Sequence, residues 1–352
     1  MARIPPGIAS ALLAALLFGA STPFAKELLH DVSPLALAGQ LYSGSGLGLL
    51  LVRGLRPRRP ALSEGPPRLS RRDLGWLAGA IAAGGVVAPV LLLLGLRVLG
   101  AAQASLLLNL EGVLTALFAW FVFHENFDRR IALGMAAIVL GGIVLSWDPS
   151  GLGGWSAGAL LVAGACGCWA LDNNLTRKIS SHDALLIACI KGLVAGAVNL
   201  TLASLRGEPW PAPAATAGAL LVGFLGYGVS LTLFVVGLRQ LGAARTGAYF
   251  SLAPFFGAAL AIPLQGEPLT AGLLLAGALM ALGVWLHLTE RHVHEHGHET
   301  LAHEHSHTHD AHHQHRHDFP WDGREPHTHP HEHGLLVHSH AHFPDIHHRH
   351  RH

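Results

Sequence analysis

Ten runs of about twenty mainly apolar residues follow one another along this chain, at 8–28, 34–53, 74–94, 103–123, 131–147, 155–175, 184–204, 215–236, 246–264 and 271–288. As a helix, each is long enough to cross the roughly 30 Å hydrocarbon core of a bilayer. A chain in that medium must satisfy its own backbone polar groups, so the runs predict helices and exclude an open sheet. Turn and breaker residues separate them, as in His30-Asp31-Val32-Ser33-Pro34, Asp148-Pro149-Ser150-Gly151 and Gly207-Glu208-Pro209-Trp210-Pro211. Composition agrees: 51% hydrophobic and 13% charged, against about a quarter charged in a soluble domain. A soluble enzyme is therefore excluded. Lys and Arg number 23 against 22 Asp and Glu, so no basic excess points to nucleic acid. The first run exceeds a signal-peptide core and reads as a span. Cys166, Cys168 and Cys189 all fall inside apolar runs and imply no disulfide framework.

Basic residues divide unevenly between alternate joints. One set holds Arg3, seven arginines between 53 and 72, Arg129, Arg130, Arg177, Lys178, Arg239 and Arg245, while the other holds Arg97 and Arg206. Fourteen against two places the first set, and with it both termini, in the cytoplasm. A cell (inner) membrane is the expected location.

An internal repeat carries more information than any single residue. Gly95-Leu96-Arg97-Val98-Leu99-Gly100-Ala101-Ala102 recurs 142 residues later as Gly237-Leu238-Arg239-Gln240-Leu241-Gly242-Ala243-Ala244. The same offset aligns Glu125 with Glu267 and Gly141 with Gly283, with 15 identities in the 51 positions from 95 to 145. Each copy contains five spans, an odd number, so the second copy must lie inverted relative to the first. Inverted repeats are an architecture of secondary transporters, with the substrate site near the bilayer midplane where the repeats meet. The fold expected is an all-α polytopic membrane protein: a first five-helix repeat over 8–147, a second over 155–288, and a disordered His-rich tail over 289–352.

The Gly-Leu-Arg-x-Leu-Gly-Ala-Ala joint, the Glu125/Glu267 joint and Trp169-Ala170-Leu171-Asp172-Asn173-Asn174-Leu175-Thr176-Arg177-Lys178 resemble the drug/metabolite transporter superfamily. The match is to its ten-helix branch with two EamA-type domains, and covers about residues 8–288. The resemblance implies a carrier, often an exporter, of amino acids, metabolites or drugs, with a central cavity and cytoplasmic termini. It fixes no substrate, and the tail departs from its pattern.

Charges inside apolar spans are costly and mark function by default. Glu111, beside Asn109, lies in the fourth span and Lys191 in the seventh. Counting about 1.5 Å per residue leaves them roughly 8 Å apart in depth, a gap that a lysine stem nearly covers. Gln40 holds in the first repeat the place Lys191 holds in the second. The pathway residues expected are thus Glu111, Lys191, Gln40 and Asn109, with Asp172 and Asn173 as a polar inner mouth. The competing reading makes Glu111 and Lys191 a structural pair that fixes packing. Tyr227 and Tyr249 read as packing aromatics. His124 and Asp128 match a His-x-x-x-Asp pattern, but their joint is too short for a catalytic domain.

Of the 27 histidines, 23 lie between His292 and His352, alternating with Glu, Ser, Thr and Asp. Neutral imidazole is a ligand for nickel, zinc, cobalt and copper. The candidate ligands are His292, His294, His296, His298, His303, His305, His307, His309, His312, His313, His315, His317, His327, His329, His331 and His333. No cofactor is required by the spans. The expected partners are the lipid bilayer, a small-molecule substrate and transition-metal ions on the tail, with a homodimer left open. Three functional readings remain: a small-solute exporter, a divalent-metal exporter fed by the tail, and a metal-buffering or sensing membrane protein.

Overall fold

The computed structural model describes residues 6–55, 70–123, 129–148, 154–179, 183–241 and 243–289, with 293–298, 301–307, 327–333 and 336–341 in the tail. Residues 1–289 form one compact unit and 290–352 a second. The first half of the compact unit runs α1 (Pro6–Leu28), α2 (Pro34–Leu55), α3 (Arg71–Ala80), α4 (Ala88–Val98), α5 (Ala101–Leu107), α6 (Leu110–Phe123) and α7 (Arg129–Ser146). The second half runs α8 (Ala157–Arg177), α9 (Ala184–Leu205), α10 (Pro213–Gly223), α11 (Ser230–Leu241), α12 (Ala243–Phe250), α13 (Ala253–Gln265) and α14 (Ala271–Leu288). A π-helical turn, Ile81–Val87, joins α3 to α4 in one rod, and a second, Phe224–Val229, joins α10 to α11. Helices α5 and α6 form one broken span, as do α12 and α13. Ten crossings result among the described residues.

Among the described residues, nine segments are apolar and long enough to span a bilayer. The tenth crossing, α8, is 21 residues long, but Asp172, Asn173 and Asn174 interrupt its apolar run. The two halves repeat in detail. Adding 142 to the first π turn lands on residues 223–229, and adding it to the Leu108–Asn109 break lands on 250–251, beside the break before Ala253.

Counterpart helices meet antiparallel. On α2, Gly39 abuts Leu200 of α9 while Gly46 abuts Gly192 and Leu193, so numbers rise along one helix as they fall along the other. Likewise Gly134 of α7 meets Gly283 and His287, and Gly141 meets Met280 and Ala276 of α14. A helix crossing its own counterpart antiparallel is the mark of a two-fold axis in the membrane plane. The second copy is inverted.

Polar contacts pin both ends of the α2–α9 pair. Arg53 Nη1 lies 2.5 Å from Asp183 Oδ2 at one end, and Ser33 Oγ donates to Glu208 at the other. Burial acts to raise the Asp183 pKa, but the bond from Arg53 and the amides of Leu186 and Leu185 outweigh it and hold the carboxyl below its ordinary value. Leu37, Leu41, Leu93, Leu96 and Leu107 are fully buried between helices, whereas Leu51, Phe121, Leu133, Leu205 and Leu274 stand exposed on the exterior. An apolar exterior suits a lipid solvent.

The repeated Gly-Leu-Arg-x-Leu-Gly-Ala-Ala motif now has a physical reason. It is the corner between α4 and α5, where helix ends leave carbonyls and amides unpaired. Lys26 Nζ donates to Leu96 O at 2.9 Å and Leu99 O at 2.6 Å, closing the end of α4. The carboxylate of Glu267, from the second repeat, accepts from the amides of Ala101 and Ala102 and closes the start of α5. A methyl on Gly100 would lie 2.5 Å from Glu267 Oε2, so only glycine leaves room for the cap. The counterpart Glu125 lies outside the described residues, as do His124 and Asp128.

In the tail, 293–298 pairs antiparallel with 336–341, and 301–307 with 327–333. Where the sequence suggests disorder, these four stretches have extended, paired backbone, as alternating His-x sequence with a period of two permits. His292, His309, His312, His313, His315 and His317 lie outside the described residues.

The Glu267 cap yields a first prediction. Glu267→Ala should lower stability by about 1–2 kcal/mol, the usual cost of a lost helix cap. Glu267→Gln, which keeps one acceptor oxygen, should lose less. Thermal unfolding in detergent reads both, and an alanine variant melting with the wild type would contradict the capping role.

Candidate functional site

Gly84-Gly85 is where the local sequence and the bundle interior meet. Inside the π turn the amide of Ala88 bonds to Ala83 O rather than to Gly84 O. The next residue is Pro89, which has no N–H to offer Gly84 or Gly85. Both carbonyls are thereby released inside the membrane, where an unpaired group costs several kcal/mol. Side chains from three helices take them. Tyr42 of α2 donates to Gly84 O at 2.6 Å, Trp169 of α8 to the same oxygen at 2.9 Å, and Asn199 of α9 to Gly85 O at 3.1 Å.

Asp172 of α8 packs against Gly84 so closely that a methyl there would overlap its carboxylate. Its oxygens lie 2.6 and 2.7 Å from Lys191 Nζ on α9. Thr176, one turn along α8, donates to Asp172 at 2.9 Å and accepts from Lys191 at 3.2 Å. The pair is well enclosed: the side chain of Asp172 is 8% exposed and that of Lys191 18%. An ion pair so desolvated holds together because both charges are present, and the hydroxyl completes its coordination.

Glu111 stands in the first turn of α6, just past the break, where a helix start favours negative charge. Asn173 Nδ2 donates to Glu111 at 2.9 Å and to Thr115 Oγ1 at 3.3 Å. Asn174 Nδ2 donates to Thr115 O at 3.3 Å and Ala170 O at 2.8 Å. Three consecutive residues of α8 thus link the Lys191 pair, the Glu111 carboxylate and the body of α6. Beside them Tyr42 stacks on Tyr227 at 5.8 Å, and Phe18 meets Tyr227 edge-on at 5.7 Å, joining aromatics of both repeats.

The structure brings together Asp172, Lys191, Asn173 and Glu111, but pairs them differently from the sequence expectation. The carboxylate on Lys191 is Asp172, not Glu111, because Asp172 faces Lys191 directly across the α8–α9 contact. Gln40 is buried at 2% exposure, with its Nε2 donating to Thr216 Oγ1 at 3.1 Å. Among the described residues its Oε1 has no partner. Asn109 spends its amide on Leu106 O at 2.9 Å, closing the break between α5 and α6. Tyr42, Thr115 and Asn199 carry no signal in the sequence reading, and Trp169 and Thr176 enter it only as members of the Trp169–Lys178 motif. Pro89 four residues after Gly85 was the available signal, since it announces a carbonyl in need of a donor.

The two halves are unequal at this point. By packing, Ser21 is to Gly226 what Asp172 is to Gly84. An offset of 151 carries Ser21 to Asp172 and Gln40 to Lys191. The first repeat therefore holds a neutral serine and glutamine where the second holds an ion pair. An integral membrane protein of two inverted five-helix repeats with a one-sided ion pair is built as a transporter.

Comparison with known proteins agrees: residues 5–147 and 156–289 each match the EamA-like transporter family, and the chain belongs to that family. It is 29% identical over 296 residues, 80% of this chain and 85% of the relative, to an uncharacterized transporter of Methanothermobacter thermautotrophicus. It is 24% identical over 205 residues, 55% of this chain and 66% of the relative, to the uncharacterized transporter YyaM of Bacillus subtilis. A solved crystal structure superposes with a TM-score of 0.57 at 17% identity, covering 80% of this chain and 95% of that one, which shows the shared fold.

Asp172→Asn should destabilise the protein by about 3–5 kcal/mol, because it leaves the lysine charge buried without its partner. The double variant Asp172→Asn with Lys191→Met should recover most of that loss. Unfolding of the three proteins in detergent decides it. A double variant as unstable as the single one would contradict the pairing.

Proposed function

We propose that this protein is a secondary carrier that exports a small organic solute across the cell (inner) membrane, both termini being cytoplasmic. The observation that carries the reading is the Asp172–Lys191 pair with Glu111 held one residue away through Asn173. Intramembrane acids and bases of this kind serve as ion or proton relays and substrate contacts. A solute carrying a carboxylate or an amine competes for one partner of the pair, and that competition favours one arrangement of the helices over the other. Glu111, outside the pair, is the group free to exchange a proton as access alternates. Tyr42 reaches the same region from the first repeat through Gly84. Nothing in this arrangement calls for covalent chemistry on the solute.

A second reading concerns the tail. The backbone register sets His294 opposite His340, His296 opposite His338, His303 opposite His331, His305 opposite His329 and His307 opposite His327. Directly opposed positions of an antiparallel pair are about 5 Å apart, a spacing suited to sharing an ion such as nickel, zinc, cobalt or copper. This favours the tail as a metal-binding segment, with export of a divalent metal as the competing function of the whole chain.

Flux into everted vesicles separates these readings. Wild-type flux of the organic solute should depend on the pH gradient, and Glu111→Gln should abolish that dependence while the protein still inserts. Normal, pH-dependent flux in Glu111→Gln would refute the role of Glu111. A chain ending at Glu290 should keep solute flux. Should it instead lose nickel or zinc flux alone, the metal-exporter reading is the correct one.

A further inference from the structure

A groove of about 630 Å3 opens where the start of α3, the end of α6 and the end of α8 converge. It is separate from the ion pair: Asn174 forms part of its wall, two residues beyond Asp172 and on the other side of the Thr115 contact. Two cations line it, Arg72 from α3 and Lys178 from α8, and two aromatic rings, Trp76 and Phe118. Leu171 and Leu175 complete an apolar side. One carboxylate, Asp73, is also present, with its Oδ2 accepting from the amide of Ser70 at 2.9 Å in the cap that starts α3. Among the described residues that line it, two are basic and one is acidic, beside an apolar, aromatic slot.

Position decides the occupant. Arg72 and Lys178 stand at span ends, at the level of lipid headgroups, and a tryptophan one turn deeper is the usual residue of that boundary. Leu171 and Phe118, 43% and 37% exposed, belong to helix faces on the membrane-spanning exterior, so the slot gives onto hydrocarbon. Arg53, near the end of α2, and Arg71, at the start of α3, stand at the same end of the bundle and draw anionic lipid toward it. The volume falls within the range of about 300–1,000 Å3 typical of ligand sites.

We propose that this groove binds one anionic phospholipid, its phosphate between Arg72 and Lys178 and its acyl chain along Trp76, Phe118, Leu171 and Leu175. A soluble anion would use the cations and leave the apolar side in contact with water. A lipid uses both. The site lies on the helix that carries Asp172 and Asn173, so a bound lipid touches the element that holds the charged centre.

Native mass spectrometry of the full-length protein, with phosphatidylglycerol titrated against phosphatidylcholine, tests the proposal. The wild type should retain one phosphatidylglycerol preferentially. Loss of both cations in Arg72→Gln with Lys178→Gln should weaken that binding about thirtyfold, from two basic contacts. Arg71→Gln removes a neighbouring exposed charge outside the groove and should bind as the wild type does. Leu171→Trp, which fills the slot and leaves every charge in place, should also lose the lipid. Equal loss in Arg71→Gln, or undiminished binding in either groove variant, would overturn the proposal. Displacement by glycerol 3-phosphate alone would also overturn it, in favour of a soluble anion site.

Discussion

A carbonyl oxygen released inside a membrane must find a donor within the protein, and that requirement organises the centre of this molecule. The π turn and Pro89 together release Gly84 O and Gly85 O, and the three donors that answer come from α2, α8 and α9. Those three side chains fix how α2, α8 and α9 stand around the α3–α4 rod. Because Gly84 has no side chain, the α8 carboxylate can approach the rod. Because Asp172 is there, Lys191 can be buried. Each step depends on the backbone irregularity before it.

The same inverted symmetry that builds the scaffold is broken where chemistry is needed. Counterpart helices pack through glycines and are tied at their ends by Arg53–Asp183, Ser33–Glu208 and Arg130–Thr289. At the middle, Ser21 and Gln40 of one repeat face the problem that Asp172 and Lys191 solve in the other with charge. Two nearly equal halves thus differ in charge at one point. The Glu267 cap holds the broken span of the second repeat against that of the first, while Lys26 ties α1 to the end of α4 within the first repeat.

Much of this was legible in the sequence because the bilayer restricts the alternatives. Apolar run lengths give ten crossings, and the 142-residue offset that aligns the motifs also relates the π turns and helix breaks seen in the structure. The pairing of Lys191 was not legible. A count of depth along two helices placed Glu111 near enough, but depth carries no information on rotation about the helix axis, which turns Asp172 toward Lys191 and Glu111 toward Asn173. Asn109 looked like a pathway residue because it neighbours Glu111; in the fold its amide closes a break in the backbone. Tyr42 and Asn199 carry no signal of their own in the sequence, because their role depends on carbonyls that only an interrupted helix exposes.

Inversion of the second repeat is the claim on which the rest stands, and equivalent joints test it directly. Asp31, between α1 and α2, and Ser181, between α8 and α9, lie in corresponding joints of the two copies. In a chain whose three cysteines are replaced by alanine, a single cysteine at each position can be probed in intact cells with a membrane-impermeant maleimide. Cysteine at 31 should label from outside and cysteine at 181 only after the membrane is opened. Labelling of both from the same side would place the two copies in parallel and contradict the account.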